Sequence, residues 1–547
     1  MKTAIITIIT IFVFISESFS SVGQVWANRY NGSGNSLDVS NAIAMDQTGN
    51  IYVTGYSTGI TTSKDYKTIK YSPNGVLLWE ASFSGPINGG DYSYALALDA
   101  SGNVYVTGRV DYGAPTNTDI VTIKYNSLGV QQWFARYNGT YGIFEEGKVI
   151  QVDNSGNVYV GGRCLNSTST SDFITIKYAP DGTQSWVAIY NGPGNNEDYI
   201  TSLVLDNSGN VYIAGGSIGS NTGSDFVTIK YNTAGVQQWV KRYNSPTNGG
   251  DAAVGVKVDS QGNIITGGFT DMGPSESYNF LTIKYDANGT IIWEKQYNGS
   301  SSTLDLATCM TIDAADNIYL TGLTTNNTPF GLDSNYVTIK YNSSGQLQWA
   351  SFYNGPNNSV DISRSISVDN SLNVYISGSS KGIGSDDFVT IKYLPNGTAS
   401  WILSYNGPGN GDDNSTSVVS DNLGNAFVTG RSMGSGTSYD YATIKYGDLV
   451  GINPISSQVP DKFSLYQNYP NPFNPSTKIK FDLPEESKVV LKIFNTLGAE
   501  VYSENMGSLL PATYEYVYNT SGLPSGIYFY SLQTNRLTET KKMILVK

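Results

Sequence analysis

Apolar and polar residues alternate in short runs along most of this chain, and the runs recur in a fixed order. Between Thr201 and Tyr243 four of them follow one another: Thr201–Leu205, Asn210–Ala214, Phe226–Tyr231 and Gln238–Tyr243. Each is rich in β-branched or aromatic residues and bounded by Gly, Asn and Asp, which marks a strand between turns. No stretch shows the 3.6-residue period of an amphipathic helix. The first turn, Asp206–Asn210, has a mechanism. Its Asp bonds the backbone that follows, and its Gly supplies a positive φ. Asp316 and Leu372 stand where the other copies have that Gly. Asp tolerates the left-handed region and Leu does not, so a strained or reshaped turn is expected at Leu372.

The run Thr-Ile-Lys-Tyr ends at Tyr71, Tyr125, Tyr178, Tyr231, Tyr285, Tyr341, Tyr393 and Tyr446. All eight tryptophans keep the same beat: Trp26, Trp79, Trp133, Trp186, Trp239, Trp293, Trp349 and Trp401, spaced 52 to 56 residues apart. Such a period signals a propeller, solenoid or array. Four antiparallel strands per repeat predict an all-β fold, an eight-bladed β-propeller of four-stranded blades. Stacking the sheets buries both faces of each. The Trp that opens each fourth strand is the expected wedge, worth roughly 3–5 kcal/mol if fully buried. The chain enters on a Trp strand, Val25–Tyr30, and leaves on a Thr-Ile-Lys-Tyr strand, Tyr441–Tyr446. The N-terminal strand is therefore expected to close the last blade.

The runs D-x-x-G-N-V-Y-V-T-G and D-F-V-T-I-K-Y-N-x-x-G-x-x-x-W resemble the SBBP family of bacterial β-propeller repeats, over residues 24–446. That family's name implies seven blades, whereas the repeat count here is eight. The Gly-x-x-x-Trp ending also resembles the tryptophan-docking repeat of quinoprotein dehydrogenases, over one turn and one residue. A quinone cofactor is disfavoured, because no two cysteines are adjacent.

Composition narrows the chemistry. Net charge is −13, which argues against nucleic acid as a partner. There is no histidine, so the commonest general base and metal ligand is missing and a Ser-His-Asp triad is impossible. Residues 1–20 read as a signal peptide: Lys2, the apolar run Ala4–Ile15, then Ser18-Phe19-Ser20. That run is too short to span a bilayer and none is longer, so no transmembrane anchoring is expected. Cys164 and Cys309 fall three repeats apart, too far to bridge, and read as buried small apolar residues.

Two acidic sets follow the repeat. The first strands end in Asp46, Asp99, Asp153, Asp206, Asp259, Asp313, Asp369 and Asp421, and each third strand carries a late Lys that could pair with it. The second set lies in the loops that cross between blades: Asp38, Asp91, Glu145, Asp198, Asp251, Asp305, Asp361 and Asp413. A closed ring would set these eight around one mouth of the channel, where they could attract Ca²⁺ or a cationic partner. The alternative is that each caps its own loop by bonding backbone N–H groups. No other cofactor is expected. The loops between second and third strands vary most in length, on the same face, so that face is the expected ligand surface.

After Tyr446 the pattern stops. Residues 447–460 are a polar linker, and 461–547 are a small all-β unit with alternation in Lys478–Leu483, Val489–Phe494, Tyr514–Tyr518 and Tyr528–Leu532, read as an Ig-like β-sandwich. Tyr466-Gln-Asn-Tyr-Pro-Asn-Pro-Phe-Asn-Pro475, Phe494–Gly498, Leu523–Tyr528 and Lys542–Lys547 resemble the C-terminal sorting domain of the type IX secretion system. The resemblance implies export across the outer membrane of a Gram-negative bacterium by that machinery. It further implies removal of the tail and release or attachment at the cell surface. Three functions stay open: a binding or scaffold module for glycan or protein, a carboxylate-dependent polysaccharide-cleaving enzyme, and a purely structural surface or adhesion protein. An enzyme predicts two carboxylates roughly 5–10 Å apart in an asymmetric cleft.

Overall fold

A computed structural model describes residues 22–113, 118–168, 170–273, 277–299, 304–328, 331–382, 384–448, 452–456, 459–509, 511–520 and 523–546. The expected signal peptide, 1–20, lies outside them. Regular structure among the described residues is strand throughout. The chain divides into a unit spanning Trp26–Tyr446 and a second built on Gly447–Lys547.

In the larger unit each sequence repeat becomes one four-stranded antiparallel sheet. Sheet one runs Val39–Met45, Ile51–Thr58, Lys64–Tyr71, Leu77–Phe83, with neighbours in chain order. Sheets two to seven follow the same plan. Sheet eight takes Asp413–Ser420, Ala426–Met433 and Tyr439–Asp448 from the end of the unit. Its fourth strand is Val22–Tyr30, beside Tyr439–Asp448. Arg29 fastens it, donating to Asp440 Oδ2 at 2.8 Å, to the Ser432 carbonyl at 2.8 Å and to Tyr405 Oη at 3.1 Å.

The apolar core is a set of layers between successive sheets. Tyr105, Ile150, Val158 and Ile176 pack between sheets two and three. Ile43, Ile51 and Val53 of sheet one meet Phe427 and Tyr441 of sheet eight. The first strands also bond from sheet to sheet. Asn41 donates to the Ser93 carbonyl at 2.7 Å, and Thr201 to that of Ala253 at 2.8 Å. Thr416 donates to the Ser40 carbonyl at 3.0 Å, which joins sheet eight back to sheet one. The arrangement is propeller-like.

The tryptophans are half-buried rather than enclosed, and all but Trp401 dock on a turn of the next sheet. Trp186 Nε1 donates to the Thr233 carbonyl at 3.1 Å, and its ring lies over Gly235. A Cβ at Gly235 would sit 2.6 Å from that ring, and φ there is +77°, so packing and backbone both demand Gly. Seven tryptophans donate to the next sheet's turn at 3.0–3.4 Å. The eighth, Trp401, faces sheet eight, whose last strand comes from the start of the chain, and packs its ring on Tyr446 as Trp186 does on Tyr231.

Leu372 adopts φ +64° in the same hydrogen-bonded turn as its glycine counterparts, with its amide 2.9 Å from the Asp369 carbonyl. The strain is accepted and the turn keeps its shape. Leu372→Gly is therefore expected to stabilise the unit by about 1 kcal/mol, read as a rise in the urea midpoint. An unchanged or lower midpoint would show that the turn is relaxed around Leu.

The second unit is two four-stranded sheets around one core that includes Phe481, Leu491 and Tyr530. One sheet holds Ile452–Ser456, Ala512–Asn519, Ser476–Leu483 and Ser464–Leu465. The stretch read as a linker thus contributes a strand, Ile452–Ser456. The Asn-rich motif folds back on this core. Tyr530 Oη donates to the Tyr466 carbonyl at 2.7 Å and accepts from the Asn468 amide at 2.8 Å, and Phe473 is buried.

Candidate functional site

The second acidic set sits at the loop end of the inner strands, but it does not line an open mouth. Asp38, Asp91, Glu145, Asp198, Asp251, Asp305, Asp361 and Asp413 are each at most 1% exposed. Each Asp turns back onto its own crossing loop. Asp38 Oδ2 accepts from the Gly32 amide at 2.6 Å and Oδ1 from the Thr58 amide at 2.9 Å. The amide six residues back is bonded in the same way by Asp91, Asp198, Asp251, Asp305, Asp361 and Asp413. This explains the Tyr-Asn-Gly anchor: a Cβ at Gly32 would lie 2.2 Å from Ser57 Oγ and 2.8 Å from the Asp38 carboxylate. Among the described residues no three His, Cys, Asp or Glu side chains come together as a metal-binding group.

Burial raises these carboxyls. Asp91 is pushed up to about 6 by loss of solvent, with the Gly85 and Asp111 amides pulling the other way. Glu145, one methylene longer, is pushed up to about 7 by burial and by the Asp119 charge, and only the Gly139 amide and Arg136 offset it.

The first acidic set behaves differently, at the other end of the strands. In six sheets the Asp accepts a Tyr hydroxyl at 2.8–3.1 Å, as Asp46 does from Tyr52. The late Lys mostly lies over the ring of the second strand, 4.8–5.3 Å from its centroid, instead of reaching the Asp. The expected Lys–Asp pair forms in two sheets. Lys284 meets Asp259 at 2.8 Å, where Ile265 replaces the Tyr, and Lys70 meets Asp46 at 3.9 Å. Both cysteines are free. Cys164 is buried and Cys309 only partly so, and burial pushes the Cys164 thiol up to about 12.

The break in the repeat lies one residue beyond the acids. The positions after the acid read Val39, Tyr92, Glu146, Tyr199, Ala252, Leu306, Ile362 and Asn414. Their cross-strand partners include Arg109 and Arg163, opposite Tyr92 and Glu146. Glu146 is 1% exposed and surrounded by cations: Arg163 Nε at 2.6 Å, Lys148 Nζ at 3.1 Å and Arg109 Nη1 at 3.7 Å. Those cations are 24–36% exposed. Aromatic rings hold them in place. Lys148 lies 3.6 Å from the Tyr94 centroid, and Arg109 lies 4.5 Å from that of Tyr92 and 5.2 Å from that of Phe144. Lys148, Arg163 and Glu146 form one wall of a cavity of about 510 Å³, which continues over Tyr199, Ile200, Val254 and Thr308 on the inner strands of sheets four, five and six.

In the sequence Glu145-Glu146 stands out as a break among the acids, but the cations around Glu146 do not. The signal was present as departures from the repeat at three fixed positions: one and three residues after the acid, and the sixth residue of the second strand. Only in the third repeat are all three charged, as Glu146, Lys148 and Arg163.

Comparison with known proteins places the two units. Residues 25–60 match the model of a beta-propeller repeat, and residues 467–547 that of a secretion system C-terminal sorting domain. An uncharacterized WD repeat-containing protein of Acanthamoeba polyphaga mimivirus is 25% identical over 66% of this chain and 31% of its own length. The chain thus spans about a third of that relative. PorZ, a surface component of the type IX secretion system of Porphyromonas gingivalis, is similar at 13% identity and TM-score 0.40, over 95% of this chain and 70% of that one. The periplasmic gluconolactonase PpgL of Pseudomonas aeruginosa is similar at 13% identity and TM-score 0.43, over 67% and 95%. No helix among the described residues is long and apolar enough to cross a membrane. The chain carries a beta-propeller repeat and ends in a type IX secretion C-terminal sorting domain, which marks it as a secreted or cell-surface protein of a Gram-negative bacterium.

Proposed function

We propose that this protein is an eight-bladed β-propeller displayed or released at the cell surface, where it binds a glycan or protein ligand without transforming it. Residues 24–446 would form the propeller, closed by the Trp26 strand. Residues 461–547 would form an Ig-like sandwich that engages the export machinery. The observation that carries the binding reading is the cation–aromatic wall around Glu146. There the third repeat departs from its neighbours, and a concave, charged and partly exposed surface results. The cleaving-enzyme reading asks for two carboxylates across a cleft. Glu145 and Glu146 break the acidic symmetry, yet they are neighbours on one strand, so their side chains leave opposite faces. Both are buried.

The test is a glycan array with calcium titration on the full mature chain, alongside pull-down of surface proteins. Saturable binding that is lost on mutating the Glu146 wall is expected. Absence of any ligand, together with no shift of the melting temperature in calcium, would favour the purely structural reading.

A further inference from the structure

We propose that the cavity bounded by Lys148, Arg163 and Tyr199 binds the carboxylate of a uronic acid residue within an acidic polysaccharide. The inference rests on the binding-module reading and names its ligand class. The wall already seats one carboxylate. Glu146 Oε1 takes Arg163 Nε at 2.6 Å and Lys148 Nζ at 3.1 Å, so the spacing of these cations fits a carboxylate. Three cations face that single acid, which leaves a local surplus of positive charge on a chain of net charge −13. An anionic ligand is repelled over most of the surface and focused here.

The donors are not exhausted. Among the described residues Arg163 spends its Nε on Glu146, and its terminal nitrogens carry no hydrogen bond. Tyr199 is 37% exposed on the cavity rim and offers a flat amphipathic ring of the kind that stacks on a sugar. Shape favours a glycan over a protein. The space is a cavity of about 510 Å³, within the usual range for small-ligand pockets, whereas a protein partner needs a broad face of about 800 Å². A polymer fits better than a lone sugar, because the aromatic and basic surface continues sideways. Tyr92 packs on Tyr56 at 4.8 Å, and Arg431 holds on the second strand of sheet eight the position that Tyr56 holds in sheet one.

Calorimetry on the full mature chain would compare galacturonate, mannuronate and guluronate hexamers with the same hexamers after reduction of their carboxylates to alcohols. A sulfated neutral hexamer supplies the other anion. At least one uronate hexamer is expected to bind, with at least tenfold loss on carboxyl reduction, on Arg163→Gln and in 0.5 M salt. Tyr199→Ala, at an exposed position that keeps Glu146 paired, is expected to weaken binding several-fold and guards against misfolding of the Arg163 variant. Equal binding of native and reduced hexamers, preference for the sulfated one, or indifference to both substitutions would overturn the inference. Binding of some other ligand at this wall, with no uronate bound, would sink the inference and leave the binding-module reading standing. No ligand of any class would remove both.

Discussion

A chain lacking residues 22–30 is expected to lose about 5 kcal/mol of stability or more, seen as a large fall in the urea midpoint. Two terms set this size. Losing Arg29 leaves Asp440, almost wholly buried, without its cation, and stripping one partner from such a pair costs about 3–5 kcal/mol. Losing Trp26 removes a half-buried ring that packs on Tyr71 and Phe427 and donates to the Pro73 carbonyl, worth roughly 2 kcal/mol by scaling down full Trp burial. Whole domains are stable by only about 5–15 kcal/mol, so the deletion consumes much of the margin. Arg29→Ala alone should show about two-thirds of the effect. A midpoint unchanged by the deletion would mean that the first strand is an ornament of sheet eight.

Stability should also rise as the pH is lowered from 7 towards about 4.5, against the usual expectation for an acidic protein. Asp91 and Glu145 are raised to about 6 and about 7, and Asp387 to about 6, each chiefly by burial. Asp38, Asp198, Asp251, Asp305, Asp361 and Asp413 are raised too, also chiefly by burial. A carboxyl with a folded pKa above its unfolded value of about 4 holds its proton more tightly when folded. Its contribution is complete below about pH 4 and is lost as the pH rises through the folded value. For Asp91 alone the difference is on the order of 3 kcal/mol.

The turn acids oppose this at lower pH. Burial would raise Asp46, Asp99, Asp153 and Asp259 too, but their hydrogen bonds outweigh it and hold them below the usual range. Their contribution is present above about pH 4 and fades below it. A melting-temperature maximum near pH 4–5 is the expected result. A maximum at pH 7 or above would show that the loop acids are solvated and ionised without cost. Asp91→Asn should flatten the fall between pH 5 and 7.

The sheets, their order and the closing strand were readable because their causes are local. Period-two alternation sets the strands, Asp and Gly set the turns, and one Trp per repeat counts the sheets. The half-burial of Trp186 was not readable, since it depends on the bare Gly235 of the next sheet. The loop acids stand at the expected positions, and the seven Asp take the capping alternative of the two that the sequence offered. Spacing placed Asp38 in a crossing loop, but its bonds to the Gly32 and Thr58 amides depend on how that loop closes. The Lys70–Asp46 type of pair was expected from proximity alone. In sheet two Tyr105 takes the oxygen of Asp99 and offers Lys124 its ring instead. The Glu146 wall was missed for a related reason: Arg109, Lys148 and Arg163 belong to three strands and meet only after two sheets have stacked.

The ring itself is tested most directly by hydrogen exchange on the intact mature chain. Amides of Trp26–Tyr30 that pair with the Tyr439–Asp448 strand should exchange as slowly as those within Tyr441–Tyr446, both opening only with the whole unit. Exchange of the Trp26–Tyr30 segment within seconds, beside a protected Tyr441–Tyr446, would contradict a ring closed by the first strand.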